Sequence, residues 1–254
     1  MIHFVVFFKK ETKESIRTYA LLIMAVVFAV LGIMNPLVAK LTPELIPKLM
    51  PEGINITMPE PSSLDSWSQF FKNIQQMGLV VTMLVFSGSL PNEVAKGTLI
   101  NLLTKGLSRR AVIFAKYAAM AAIWTLSMAI SLVVTWTYTI YFFPDGKAQH
   151  VLLAAFWLWT FGAFLLAVML CAATLVVSSY GSLLISGAAV VTLMILNVIP
   201  AVQKYNPLSL AGRNMDLVTG NIGPASLVPA LIITLVAIPL LILLAAQKFA
   251  KKQL

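Results

Sequence analysis

Little in this sequence is equipped for covalent chemistry. Its only histidines are His3 and His150, and its only cysteine is Cys171. By the topology read below, the two histidines fall at opposite ends of a membrane. There they share no metal ion and support no serine nucleophile within the bilayer. Ser87-Gly88-Ser89 and Ser186-Gly187 look like fragments of a nucleophile turn, but no base accompanies them. Gly146-Lys147-Ala148 lacks the upstream glycine and the final Ser or Thr of a phosphate-cradling loop, so nucleotide hydrolysis is not expected in this chain. What the sequence concentrates instead is charge. Glu93, Lys96, Lys105, Arg109, Arg110 and Lys116 form an island between two apolar segments, five basic residues against one acidic.

The elements that must carry this island follow from composition. The chain has 254 residues, of which 59% are hydrophobic and 11% charged, with a mean hydropathy of +0.91. A soluble chain of this length has no interior able to hide so much apolar surface. The reading is an all-α, polytopic integral membrane protein, one transmembrane domain over residues 1–254. Residues 1–18 read as an amphipathic interfacial helix, with Phe4, Phe7, Phe8, Ser15, Ile16 and Tyr19 on one side. Lys9, Lys10, Lys13, Glu14 and Arg17 take the other side; Val6 and Glu11 break the pattern. Its apolar start precedes the basic pair, the wrong order for a cleaved signal peptide.

Six crossings are expected, over residues 19–39, 66–90, 111–143, 151–177, 182–200 and 225–246. Residues 40–65 are expected to form an irregular loop, because Pro43, Pro47, Pro51, Pro59 and Pro61 crowd it. The second segment is cleanly apolar only from Met77 to Leu90, so it must extend back, with Gln75 and Gln76 facing protein or water. The third is longer than a membrane needs, and its first turns, with Lys116, are expected to protrude. Both termini then face the cytoplasm. Twelve basic residues fall on that side and six on the other, the bias of cytoplasmic loops, so the net charge of +9 is no nucleic-acid footprint. The apolar cores hold no Asp, Glu, Lys or Arg, which argues against a proton-driven carrier.

Within the cytoplasmic stretch 91–110, residues 99–105 read as a separate helix. Leu99, Ile100, Leu102 and Leu103 fall on one arc, with Asn101, Thr104 and Lys105 opposite. Thr98 suits its start, Gly106 its end, and Ser108 the start of the next helix. Two readings stay open on physics: a helix inserted into a soluble partner, or one resting on anionic headgroups.

The order of these parts resembles the ABC type-2 permeases, the membrane subunits of ATP-driven exporters. The resemblance rests on the basic N-terminal helix and on Glu93, Gly97-Thr98, the Leu-rich run from Leu99 to Leu103, Ser108-Arg109 and Lys116. Asn206-Pro207-Leu208 before the last crossing adds to it. One departure is Gly106-Leu107, where a proline often precedes the Ser-Arg pair. The resemblance implies two permease subunits, identical or different, in the cytoplasmic membrane, paired with two separate cytoplasmic ABC ATPase subunits. It implies no cofactor in this chain, with ATP and Mg bound by the ATPase. It places the ATPase contact at Glu93, Lys96, Gly97, Thr98, Leu99, Ile100, Leu102, Leu103, Lys105, Ser108, Arg109 and Arg110. The neutral, apolar crossings suit a hydrophobic or amphipathic exported cargo. The alternative is a membrane scaffold or sensor subunit that binds a cytoplasmic partner without moving a substrate.

Overall fold

The computed structural model describes residues 2–49, 60–99, 104, 108–176 and 178–251. Among these residues there is no strand. Six helices are long and apolar enough to cross a membrane: Ala20–Leu45, Ser63–Ala95, Arg109–Phe142, Val151–Leu175, Ser179–Leu196 and Val228–Lys251. The protein is an all-α polytopic membrane protein.

The chain opens with a helix over Ile2–Arg17 that buries Phe7. Thr18 Oγ1 donates to the Glu14 carbonyl at 2.9 Å, and Tyr19 takes a left-handed conformation at φ 60°. A non-glycine residue there is uncommon. It turns the chain from the interfacial helix into the first membrane helix.

That first helix runs Ala20–Leu49, through Pro36, Pro43 and Pro47, where an irregular loop was expected from residue 40. Each proline removes one donor and leaves a carbonyl one turn earlier without its usual partner. Pro36 frees the carbonyl of Gly32, and the Thr135 hydroxyl donates to it at 3.1 Å from the third membrane helix. Farther along, Thr42 Oγ1 donates to the Val38 carbonyl at 2.6 Å. At Pro36 a side-chain hydroxyl thus replaces the missing backbone donor, and the helix also continues through Pro43 and Pro47. Residues 50–59 of the expected loop lie outside the described residues.

The second membrane helix starts at Ser63, three positions before the expected residue 66. Asp65 accepts from the Ser62 backbone at 2.8 Å and from its hydroxyl at 3.0 Å, while Asp145 accepts from the Ser63 backbone at 2.9 Å. Ser63–Asn73 leads into a wide π turn, Ile74–Gly78, and the helix resumes over Leu79–Phe86. Just before the π turn, Asn73 donates to Asn35 at 2.8 Å, and Asn35 donates to Thr135 at 3.1 Å. One buried polar chain therefore joins the first three membrane helices.

The third membrane helix, Arg109–Phe142, crosses the first so closely that a Cβ on Gly32 would lie 3.0 Å from the Ser131 carbonyl oxygen. The fourth, Val151–Leu175, is the most enclosed. A Cβ on its Gly162 would lie 2.2 Å from the Trp124 ring, and Trp124 Nε1 donates to the Trp159 carbonyl at 3.1 Å. The fifth, Ser179–Leu196, is capped by Ser178, whose hydroxyl accepts from the Gly181 backbone at 3.0 Å. Its Ser182 and Ser186 are buried. Three short helices follow, and Asn214 on the last of them donates to the Ala154 carbonyl at 2.8 Å. The sixth membrane helix, Val228–Lys251, closes the described chain.

Contacts between distant segments sort the chain into two ends. Ser63 meets Asp145, and the Gln149 backbone donates to the Val218 carbonyl at 3.0 Å, at one end. At the other, Lys116 meets Glu11 at 2.8 Å and Arg109 reaches the Ala250 carbonyl at 3.3 Å. The basic island therefore lies with both ends of the described chain, opposite the start of the second membrane helix.

Candidate functional site

The site is built by three elements that meet at the basic end. The N-terminal helix supplies Lys10, Glu11 and Glu14. A short helix, Pro91–Ala95, supplies Glu93. The third membrane helix supplies Lys116, two turns past its start. Proline at the first position of the short helix suits it, since the missing donor would be unused there. That helix ends where Gly97 adopts a left-handed φ of 67°, which glycine accepts without steric cost. The Thr98 hydroxyl donates to the Glu93 carbonyl at 3.1 Å and closes the turn.

Lys116 is only 1% exposed, and Glu11 and Glu93 are 7% and 5% exposed. Lys116 Nζ lies 2.8 Å from Glu11 Oε2 and 3.1 Å from Glu93 Oε2. The first is a hydrogen bond. The second is an ion pair without hydrogen-bond geometry, so Glu93 Oε2 has no directed donor. Lys10 Nζ sits 2.9 Å from Glu11 and 2.5 Å from Glu14, and also pairs with Glu93. The Phe7 ring lies under both ammonium groups, 4.9 Å from Lys10 and 5.9 Å from Lys116.

Burial by itself would pull the Lys10 ammonium down. Hydrogen bonds to Glu14 and Glu93 and the charges of Glu11 and Glu93 outweigh it and hold Lys10 well above its ordinary range. Burial likewise pushes the Glu14 carboxyl up. The Lys10 and Glu93 hydrogen bonds and the charges of Lys10 and Lys116 prevail and hold it below its ordinary value. Carboxylate oxygens of Glu11, Glu14 and Glu93 lie within 4.8 Å of one another, a spacing that could hold a divalent ion. Two ammonium groups already sit among them, so the donor set fits lysine and not a metal. Beside the cluster lies a polar cavity of about 370 Å³, lined in part by Ser15, Thr18, Ser89, Asn92 and Lys96. The arrangement offers no nucleophile with its base. Its physical role is to bind three elements into one body.

The structure redistributes the residues assigned to a partner contact. Glu93 is an internal ion-pair partner, not a surface charge at a partner's rim. Lys116 is buried between the two carboxylates. Leu99 is fully enclosed in this chain's own core, so it anchors the stretch after Gly97 instead of facing outward. Lys96, Thr98, Ser108 and Arg110 are exposed. Arg109 is half-buried against the Ala250 carbonyl. Ser108 takes the N-cap position through its backbone, its carbonyl accepting from Val112 at 3.2 Å. Ile100, Leu102, Leu103 and Lys105 lie outside the described residues. Glu11 is the functional residue that sequence reasoning passed over. Its signal was present: an acid on the same side as Phe7, breaking an amphipathic pattern, needs a buried cation.

Fold and site together define a membrane protein with six candidate crossing helices among the described residues and a buried charge cluster that ties the N-terminal helix to it at one end. The family model described as ABC-2 family transporter protein matches residues 8–197. The chain belongs to that family and is an ABC-type permease, a membrane transport component that associates with an ABC ATPase. No curated protein matches it.

Proposed function

We propose that this permease is the membrane half of an exporter in the cytoplasmic membrane, with both termini and the charge cluster on the cytoplasmic side. Two copies, or one copy and a second permease, pair with two ATPase subunits that bind ATP and Mg. The cargo is hydrophobic or amphipathic. The observation that carries this reading is the cluster of Lys10, Glu11, Glu14, Glu93 and Lys116. It fastens the interfacial helix, the Pro91–Ala95 helix and the third membrane helix together, directly beside the stretch assigned to the ATPase. A push on residues 96–110 then moves membrane helices without being absorbed by loose joints.

The test is co-purification from the native membrane. Charge reversal at exposed Lys96 and Arg110, or Leu102 and Leu103 replaced by Asp, should remove the ATPase from the purified complex while membrane insertion stays intact. Unchanged recovery of the ATPase refutes the contact. ATP turnover in vesicles without movement of any amphipathic cargo would favour the scaffold alternative.

A further inference from the structure

The outer half of the second membrane helix is inside out for a helix in lipid. Its buried face is Ser63, Ser66, Trp67, Phe70, Phe71 and Ile74. Its opposite face carries Asp65, Gln69, Lys72 and Gln76, spaced by four, three and four residues, so they form one stripe. Asp65, Lys72 and Gln76 are exposed and Gln69 is half-exposed. Asp65 is engaged by Ser62. Among the described residues, Gln69, Lys72 and Gln76 have no hydrogen-bond or ion-pair partner.

Depth makes this costly in lipid. Asn73 lies beside Asn35, which is about 22 Å along the first helix from Ala20 at 1.5 Å per residue. A hydrocarbon core is about 30 Å thick. Lys72 is therefore near the outer boundary and Gln76 lies deeper by about one turn. A lysine stem can stretch to the headgroups, but a glutamine carboxamide at that depth cannot. An unpaired amide in hydrocarbon costs several kcal/mol. Past Gln76 the exposed face turns apolar, with Met77, Val80 and Leu84, as lipid contact requires.

We propose that this stripe lines a water-filled vestibule open at the end opposite the charge cluster, and that Lys72 receives the anionic head group of an amphipathic molecule there. A carboxylate or phosphate would take the Lys72 ammonium, with the Gln69 and Gln76 carboxamides donating from one turn to either side. The passage of that molecule outward rests on the exporter reading; the vestibule does not.

The test uses single cysteines at Gln76, Lys72 and Val80 in a Cys171→Ser background, in sealed vesicles. A charged, membrane-impermeant thiosulfonate is added from the vestibule side. Reaction requires water, since the thiolate is the reactive form, so Gln76→Cys should react about tenfold faster than Val80→Cys. Reaction of Lys72→Cys alone, with Gln76→Cys as slow as Val80→Cys, overturns the vestibule. All three positions are exposed, so folding is preserved; retention on gel filtration checks it. Oleate should slow Gln76→Cys labelling while uncharged monoolein does not, and Lys72→Gln should abolish that protection. Equal protection by both lipids, or by neither, overturns the head-group assignment, as does protection by inorganic phosphate alone. None of these readouts needs an ATPase, so failure of the exporter reading is separately visible.

Discussion

Replacing Lys116 by Met separates a structural role for the charge cluster from an incidental one. The side chain is 1% exposed and serves Glu11 and Glu93 together. Without it, three carboxylates face Lys10 alone. Breaking a buried ion pair from one side destabilises by roughly 3–5 kcal/mol. The cluster has one escape, which is to take up a proton. From the ordinary glutamate value of 4.5, protonation costs about 3.4 kcal/mol at pH 7 and about 1.4 kcal/mol at pH 5.5, at about 1.36 kcal/mol per pH unit. The loss is therefore capped near the first figure at pH 7 and near the second at pH 5.5. The sign follows from linkage. In the variant, the cluster binds its extra proton more tightly folded than unfolded, so stability is fullest below pH ~4.5 and declines as pH rises. The measurement is thermal unfolding in nanodiscs, followed by tryptophan fluorescence, at both pH values. The variant's deficit should shrink by about half on acidification, and Glu11→Gln added to Lys116→Met should recover part of it. A deficit equal at both pH values, or none at either, refutes the reasoning.

Two further outcomes follow from the same geometry. Gly162→Ala places a methyl 2.2 Å from the Trp124 ring; overpacking should lower stability by about 1–3 kcal/mol, and a melting temperature unchanged from the parent would contradict that contact. The contributions of Glu14 and Lys10 to docking of the N-terminal helix should both be fully present between about pH 4.5 and 10.5. The folded Glu14 carboxyl lies below its ordinary 4.5, so its contribution is present above that value and lost as pH falls through the folded value. Folded Lys10 lies above its ordinary 10.5, so its contribution is present below that value and lost as pH rises beyond it. Proteolysis of residues 2–17 at intervals across that range checks the window, and susceptibility that is flat from acid to alkali contradicts it.

The sequence made the architecture readable because composition and apolar run length act locally. Six crossings and an amphipathic leading helix need no tertiary knowledge. The partners of the charges were not readable. Glu93 and Lys116 look like members of a solvated basic island, and only the return of Lys10 and Glu11 from the start of the chain encloses them. How the first membrane helix accommodates Pro36 was hidden for a similar reason. The donor that compensates Pro36 belongs to Thr135, far away in sequence. The π turn at Ile74–Gly78 has no local signature beyond the two glutamines that already resisted a lipid-facing assignment.

The Gly32 carbonyl, stripped of its own helix's donor by Pro36 and served by Thr135, limits how the first and third membrane helices move against each other. A slide of even one turn would strand that oxygen in hydrocarbon, at a cost of several kcal/mol. Tilting about the same point leaves it satisfied. This one contact therefore resists sliding of the two helices along their axes more than it resists tilting about their crossing point.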